Sequence, residues 1–486
     1  MTEPFSYDVV AYPSHATSIM HPDRLSVQGR LFGLAPTRPD RCRYLEVGGG
    51  SGTNLIAAAL HLPDSQFVGI DLAETAVREG AETIAALGLT NVRLEHADLT
   101  RWQPDAPFDY IAAHGVYSWV PAPVRDGLLD LYRRALAPNG VGYVSYNTLP
   151  GCHLRRAIWD MLKFHTANTA DPAAKLEQVD QLLQFLCDGQ EGQDDPPNRW
   201  LLAEAGSVLN RTEKYLTFHD DLAIPNDPVY FLDFVGHAGR HGLKFVAEAA
   251  LPTMSDEVFP THVAKVLGDL GRRNPLLREQ YRDFLKVRRF RSSLVCHAAC
   301  EVRPEPELVD GLYAASALRP VGDPADGEFV TDLGGSTTVA DPLSRRLLTT
   351  LAARQPGRVA VAELAAGEDA GAVGHAVLTM ARAALVNLHG LPYAGVPAAG
   401  DRPAVSSLAR LQASRGQPVS SLLHTTLDLS DAASQALLPL LDGTRSRAEL
   451  AAALSASVPT LGTPEEVADG LAITLDKLAR AGMLTA

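Results

Sequence analysis

The chain has 486 residues, of which 46% are hydrophobic and 21% charged, and its formal net charge at pH 7 is -14. This length allows several domains, and the composition excludes long disordered stretches. The acidic balance disfavours non-specific nucleic-acid binding, because phosphates would be repelled over most of the surface. No apolar run approaches the roughly 18 residues of a membrane span, and the N-terminal MTEPFSYDVVAYPSH carries no secretory-signal pattern. We therefore expect a cytoplasmic protein that does not contact a membrane.

Cysteine usage and one basic stretch complete the compositional picture. The five cysteines are odd in number and form no CxxC pair, which argues against a disulfide framework or a structural zinc site. The stretch Gly271–Arg291 carries eight basic residues and two acidic ones. A solvated helix face is the favoured interpretation, and a docking strip for an acidic partner is the alternative.

The predicted elements begin with strands and helices that alternate between Arg43 and Leu149. The predicted strands are YLEV, FVGID, VRLEHADL, FDYIAAHGV and VGYVSYN, and the predicted helices are LIAAALHL and VRDGLLDLYRRALAPNG, the second ending at its Pro-Asn-Gly stop. Strands separated by helices predict βαβ units. An α/β fold with a parallel, doubly wound sheet follows for residues 1–150.

The middle of the chain is predicted to be mostly helical, with two late strands. Residues 151–225 read as a helical insertion interrupted by the turn-rich CDGQEGQDDPPN. In residues 226–303, a helix at FLDFVGHAGRHG precedes the strand LKFVAEA, and FRSSLVCHA follows as another strand. We expect these two strands to close the same sheet, with helices inserted before and between them.

The last third is rich in Ala, Leu and Gly and contains two stretches of similar shape. In each, a helix, a turn, a second helix and a longer helix precede a Gly-bounded apolar end. This order is typical of a winged helix-turn-helix. The predicted α+β winged-helix domains span residues 304–395 and 404–486, and the linker between them lies in Gly390–Pro403.

The stretch RYLEVGGGSGTNL places four glycines in five positions directly after the first predicted strand. A phosphate-binding P-loop needs a lysine after its glycines, and none follows here. The dinucleotide fingerprint G-x-G-x-x-G fails as well, because Thr53 or Leu55 stands where its last glycine is required. The glycines therefore receive neither of these ligands.

An acidic residue followed by glycines at alternate positions does fit: Glu46, Gly48, Gly50 and Gly52. This is the motif I pattern of class I methyltransferases that use S-adenosylmethionine (SAM), and the region resembles that family, which implies a Rossmann-like fold. The carboxylate of SAM suits the free N–H groups at a helix N-terminus. Its ammonium group suits a nearby carboxylate such as Glu46.

Two further acidic residues end the next predicted strands. Asp71 lies nineteen residues beyond Gly52, where a carboxylate can accept both ribose hydroxyls. By the family resemblance, Asp98 faces the adenine amino group. The predicted cofactor-binding residues are Glu46, Gly48, Gly50, Gly52, Asn54, Asp71, Leu72, Asp98, Leu99 and His114.

Several other segments carry a narrower resemblance: YPSHAT, HPDRL, HGVYSWVP, SYNTLPGCH, HDDL, NDPVYFLDFVGHAGRHGLKFVAEA and EQYRDFLKVRRFRSSLVC. Their order, from about Tyr7 to Cys300, resembles bacterial methyltransferases with a methyltransferase regulatory domain, among them rickettsial enzymes that methylate lysines of outer-membrane proteins. The winged helices share a looser likeness. One departure is Cys152, where members of the family often have an aromatic residue.

The methyl acceptor is expected beyond the fourth and fifth strands, because ligands of parallel sheets bind at the carboxyl ends of the strands. Methyl transfer is a direct displacement that depends on alignment and exclusion of water, and aromatic walls can hold a cation. The predicted catalytic residues are His114, Tyr117, Trp119, Tyr146 and Asn147. Each has a structural alternative: the aromatics as core residues, the asparagine as a turn residue and the histidine, like His153, as a hydrogen-bonded structural one.

Two other pairs of residues are candidates for roles around this site. Tyr12 and His15 form a lid over the cofactor if the family resemblance extends to them. His237 and His241 have the i, i+4 spacing of metal ligands on a helix. Because no third ligand lies nearby in sequence, no metal is expected.

The leading hypothesis is a SAM-dependent methyltransferase that acts on a protein or peptide, with lysine as one acceptor. The alternatives are a methyltransferase for small molecules or for peptide carboxylates or heteroatoms, and a SAM-binding regulator whose winged helices bind DNA. The last is disfavoured because RSRAELAAAL is nearly neutral. The oligomeric state is open, with a homodimer as one option.

Overall fold

A seven-stranded sheet forms the centre of the computed structural model, which describes residue 10 and residues 12–192, 195–429 and 431–485. Its strands in chain order are β1 (Arg43–Val47), β2 (Gln66–Asp71), β3 (Val92–His96), β4 (Phe108–Ala113), β5 (Leu136–Asn147), β6 (Leu243–Glu248) and β7 (Phe290–His297). In space they are ordered β3-β2-β1-β4-β5-β7-β6. The first five are parallel, whereas β7 is antiparallel to both β5 and β6. The two late strands therefore close the sheet as predicted, and the sheet is mixed.

Helices cover both faces of this sheet because its strands alternate two sets of buried side chains. Tyr44, Tyr110 and Tyr143 pack on one face of the sheet. The residue that follows each tyrosine along its strand packs on the other face. The helices of this part of the chain are α1 (Pro22–Leu31), α2 (Thr53–His61), α3 (Glu74–Leu87) and α4 (Ala122–Ala135). Helices α1 and α2 pack on the face that carries these tyrosines, here called the tyrosine face, and α4 packs on the opposite face.

Two predicted element ends are wrong by a few residues. The helix expected to run to the Pro-Asn-Gly stop ends at Ala135, and β5 already begins at Leu136. Proline disfavours a helical residue before it, so Ala137 adopts the strand rather than the last helical turn. The third strand ends at His96, which places Asp98 in the following loop rather than at the strand end.

The helical insertion has a small core of its own. Its helices are α5 (Gly151–Thr166), α6 (Pro172–Gly189) and α7 (Pro196–Leu209), and Leu162, Val179 and Val208 pack between them. The chain then returns to the sheet through α8 (Phe231–Arg240), α9 (Thr261–Arg273) and α10 (Pro275–Lys286), of which the last two lie between β6 and β7 in sequence.

The residues after 303 form two groups of short elements. The first contains β8 (Tyr313–Ala315), β9 (Arg319–Pro320), β10 (Glu328–Val330), β11 (Ser336–Thr338), α11 (Pro342–Ala352), β12 (Val359–Ala360), α12 (Val361–Leu364), α13 (Ala370–Arg382) and β13 (Asn387–His389). The second contains β14 (Ala404–Val405), α14 (Ser407–Ser414), β15 (Val419–Ser420), β16 (Thr426–Leu427), α15 (Ala432–Leu437), α16 (Arg447–Ser457), α17 (Pro464–Arg480) and β17 (Leu484–Thr485). The first group shares its core with the tyrosine face of the sheet, and the second has a separate one.

Within the described part of the chain, no helix combines the length and the apolar character that crossing a membrane requires.

Candidate active site

The glycine-rich corner between β1 and α2 adopts a backbone that side chains would block. Gly48, Gly50 and Gly52 have φ angles of 75°, 57° and 69°, in the left-handed region that glycine favours. A Cβ atom on Gly48 would lie 2.7 Å from Val116, and one on Gly52 would lie 2.8 Å from Leu94. The backbone conformation explains why all three positions are bare, and close packing adds a second reason at Gly48 and Gly52.

Asp71 holds this corner from the end of β2. One oxygen of its carboxylate accepts a hydrogen bond from the Gly50 N–H at 2.8 Å, and the other accepts from the Ala73 N–H at 2.8 Å. The next residue, Leu72, is 47% exposed beside it. The carboxylate predicted to bind the ribose is thus oriented by two backbone groups.

Asp98 follows in the adjacent loop and is also held by local hydrogen bonds. Its carboxylate accepts from the N–H and the hydroxyl of Thr100, at 2.9 and 2.7 Å, and these bonds lower its pKa. Leu99 packs partly against the core on the α4 face of the sheet. The two predicted nucleoside-binding aspartates therefore lie at the same edge of the sheet, Asp71 at the end of β2 and Asp98 two residues beyond the end of the neighbouring β3.

Glu46 lies beneath the corner and is only 4% exposed. Its carboxylate accepts a hydrogen bond from the Asn54 amide at 3.2 Å. Burial, against the hydrogen bond from Asn54 and together with the negative charge of Asp71, raises the pKa of Glu46 to about 7. This carboxyl group therefore changes charge near neutral pH.

A residue from the C-terminal region completes this arrangement. The ring of His424 lies 2.7 Å from the Asn54 amide oxygen, which also accepts from the Thr17 N–H at 3.1 Å. His424 is buried, stacks edge-on against His21 with ring centroids 4.7 Å apart, and has its pKa lowered well below 6.5 by burial. The sequence analysis missed this histidine, because 370 residues separate it from Asn54 and no motif marks it.

The N-terminal segment lies across the same corner. The Ser14 hydroxyl donates to the Gly49 carbonyl at 3.0 Å and accepts from the Thr53 N–H at 3.2 Å, at the start of α2. Two residues earlier, the Tyr12 ring contacts Tyr215 at 5.2 Å between centroids. The segment therefore joins the glycine corner to the residues that follow α7, and the lid suggested for Tyr12 and His15 stays a prediction.

His114 follows β4 at the sheet edge where the acceptor is expected. Its Nδ1 lies 2.8 Å from the Tyr143 hydroxyl, and its ring packs edge-on against Phe290. The residue as a whole is exposed, but desolvation by the surrounding protein lowers the pKa of its imidazole to about 4. His114 is therefore neutral at physiological pH.

Two of the other predicted catalytic aromatics, Tyr117 and Tyr146, form a cluster on the α4 face of the sheet. Tyr146 is fully buried, stacks on Phe234 at 4.2 Å and directs its hydroxyl to Ser293 at 3.0 Å. Tyr117 packs on both rings and hydrogen-bonds His237. Among the described residues, the buried indole N–H of Trp119 has no hydrogen-bond partner.

Asn147 ends β5 and belongs to a polar link with the region after the helical insertion. Its amide donates to Asn226 at 2.9 Å, and the Asn226 amide donates in turn to the Asp220 carbonyl at 2.8 Å. His153 is exposed in the first turn of α5 and lies edge-on to Tyr230. The predicted residues thus fall into a cofactor group around β1, β2 and β3 and an acceptor group around β4 and β5.

Comparison with protein-family models identifies three segments. Residues 45–141 match a methyltransferase domain, residues 212–297 a predicted methyltransferase regulatory domain and residues 401–462 the C-terminal winged helix domain of PKMT. The glycine corner and both predicted nucleoside-binding aspartates lie in the first segment. His424 lies in the third.

Two proteins of Rickettsia prowazekii are among the curated relatives. Uncharacterized protein RP028 is 35% identical over 246 residues, which are 50% of this chain and 98% of that protein. Uncharacterized protein RP789 is 38% identical over 293 residues, 60% of this chain, and the match spans 52% of RP789's own length. Among solved structures, PKMT2 from Rickettsia typhi is 25% identical with a TM-score of 0.87, covering 98% of this chain and 100% of that one. It also has a structure in complex with AdoHcy, with a TM-score of 0.85.

The fold and the glycine corner define a class I SAM-dependent methyltransferase. More narrowly, the chain belongs to the bacterial family that joins this domain to a methyltransferase regulatory domain and a PKMT-type winged helix. The predicted fold class, family and SAM cofactor are confirmed. The individual site residues, the domain boundaries and the cytoplasmic location stay predictions.

Proposed function

We propose that this protein transfers the methyl group of SAM to lysine side chains of a protein substrate. The observation that carries the proposal is the likeness to the Rickettsia typhi PKMT2 over 98% of the chain. That likeness includes the helical insertion and the C-terminal winged helix as well as the SAM-binding sheet. A protein acceptor is consistent with such accessory regions, which a small acceptor does not require.

Lysine methylation needs a neutral amine, and the surroundings of His114 bear on how it is obtained. A lysine with an ordinary pKa near 10.4 costs about 4–5 kcal/mol to deprotonate at pH 7. The pKa of His114 is about 4, so the imidazole is a poor acceptor for an ammonium proton. Its neutral ring, beside Tyr143 and Phe290, instead offers a surface that does not repel a cationic side chain. We infer that His114 binds and aligns the acceptor, and that the proton leaves to solvent before transfer.

The DNA-binding alternative is less compatible with the winged helix of residues 401–462. Arg447, at the start of α16, donates hydrogen bonds to the carbonyls of Ala399 and Gly400. Glu449, two residues after Arg447, forms a capping box with Ser446 at the N-terminus of this helix. In α16, the helix that would have to read DNA, Arg447 is therefore engaged by the protein's own backbone, and Glu449 adds a negative charge that would repel phosphates.

The experiment incubates the protein with methyl-labelled SAM and a lysine-rich protein acceptor. We expect label in trypsin-sensitive material that resists alkali and yields methyl-lysine after hydrolysis. The same acceptor with its lysines acetylated is the matched control and should take up no label. Alkali-labile label would indicate a carboxylate ester, and label confined to small molecules would indicate a small acceptor. Either result would contradict lysine methylation.

A further inference from the structure

Three potential metal ligands converge on the α4 face of the sheet, away from the glycine corner. His237 lies on α8, His241 directly follows that helix, and Asp126 lies on α4. The Nε2 atoms of the two histidines lie 2.7 and 3.4 Å from the same Asp126 oxygen, and the three ligand atoms lie within 4.8 Å of one another. The third ligand missing from the local sequence is thus supplied by a helix more than a hundred residues earlier.

The spacing of these atoms matches what a metal ion requires. Two ligands of a tetrahedral zinc ion, each about 2.0–2.1 Å from the metal, lie about 3.3 Å apart. Asp126 has 62% of its side chain exposed, which leaves it room to adjust, and His241 is partly exposed. Only small side-chain rotations separate the hydrogen-bonded arrangement from a coordinating one.

A second observation concerns the orientation of His237. Its side chain is 10% exposed, and its Nδ1 lies 2.8 Å from the Tyr117 hydroxyl. A ligating histidine commonly fixes its tautomer through a hydrogen bond from the other ring nitrogen. With Nδ1 protonated and donating to Tyr117, the Nε2 lone pair of His237 faces Asp126 and the open surface.

We propose that Asp126, His237 and His241 bind a divalent transition-metal ion, with Zn²⁺ the ion that best fits two imidazoles and one carboxylate. Three protein ligands leave a fourth position for water. Arg240 opposes a cation here electrostatically, and the carboxylate of Asp126 offsets it. No catalytic step depends on this ion.

The site would connect the surface of the protein with its predicted acceptor group. A bound ion ties α4 to α8 and keeps Nδ1 of His237 protonated, so that Tyr117 accepts that hydrogen bond. The Tyr117 proton is then free to point elsewhere in the cluster formed with Tyr146 and Phe234. The ion would therefore act as a positioning element for Tyr117.

The test is a titration of chelator-treated, dialysed full-length protein with Co²⁺, whose visible absorption reports coordination by protein ligands. We expect saturation at one ion per chain and displacement by Zn²⁺. Asp126→Asn and His241→Gln should each weaken binding at least tenfold, because each removes one of three ligands. The matched control is His375→Gln, at an exposed histidine on α13, and should bind like the unmodified protein.

Two results would overturn the site. One is the absence of a saturable Co²⁺ spectrum, and the other is equal affinity in all three variants and the unmodified protein. Circular dichroism of each variant separates loss of binding from loss of folding. Since the readout is metal binding alone, it does not depend on which acceptor is methylated.

Discussion

Glu46→Gln is expected to change protein stability and cofactor affinity in opposite directions. The pKa of Glu46 is raised from 4.5 to about 7 by burial, so the folded state favours its neutral form. Between these two values the folded protein binds more protons at this group than the unfolded chain does. The free energy of unfolding therefore falls as the pH rises through this window. A glutamine cannot ionise and removes that fall, while it can still accept the hydrogen bond from Asn54.

The size of both effects follows from the same shift. At about 1.4 kcal/mol per unit of pKa, keeping Glu46 ionised in the folded state costs about 3 kcal/mol. We expect Glu46→Gln to be more stable than the unmodified protein by up to that amount near pH 8, and close to it near pH 4. If the ionised carboxylate pairs with the ammonium group of SAM, affinity in the unmodified protein should fall about tenfold between pH 8 and pH 6. In the variant, affinity should be low and nearly independent of pH.

The assay combines urea denaturation with calorimetric titration of SAM across this pH range. Glu79→Gln, at an exposed position on α3, is the matched control and should change neither quantity. Unchanged SAM affinity in a folded Glu46→Gln protein near pH 8 would refute the ammonium pairing. An unfolding free energy with the same pH dependence in both proteins would refute the raised pKa.

Three further substitutions test the corner. Asp71→Ala should weaken SAM binding by tens-fold, since a charged acceptor contributes about 1.5–3 kcal/mol, and unchanged calorimetric affinity would exclude its ribose role. His424→Ala removes a buried hydrogen bond to Asn54, so it should lower the free energy of unfolding by about 1–3 kcal/mol and weaken SAM binding several-fold. If His424→Ala and the unmodified protein bind SAM equally well, His424 does not support the cofactor site through Asn54. Ser14→Ala should lower the free energy of unfolding by about 1 kcal/mol, because the Thr53 N–H at the start of α2 loses its acceptor. An unchanged free energy of unfolding in urea denaturation would contradict this capping role of Ser14.

The local part of the fold was predictable because each signal lies within a short stretch of sequence. Alternating glycines after a strand predicted the turn between β1 and α2, and their positive φ angles agree with the need for backbone without side chains. The late strands β6 and β7 were recognisable from their own apolar runs, although β6 does not pair with β5, the strand before it in sequence, and β7 lies between the two. What a single segment requires of its own backbone can be read from that segment.

Contacts between distant segments were not predictable in this way. The basic stretch Gly271–Arg291 was interpreted as a solvated face, but Arg291 is 1% exposed. Its guanidinium group pairs with Glu248, Glu279 and Asp283. Charge alone does not reveal such burial, because the compensating carboxylates include one more than forty residues away.

The contact between His424 and Asn54 also bears on how the enzyme matures during synthesis. A nascent chain that has emerged only as far as the regulatory domain already contains the three alternate glycines and both predicted nucleoside-binding aspartates. It lacks the imidazole that joins Asn54 from 370 residues further along. We therefore expect full affinity for the methyl donor to be acquired late in translation, and a prematurely terminated chain to be a poor methyl-transfer enzyme rather than an unregulated one.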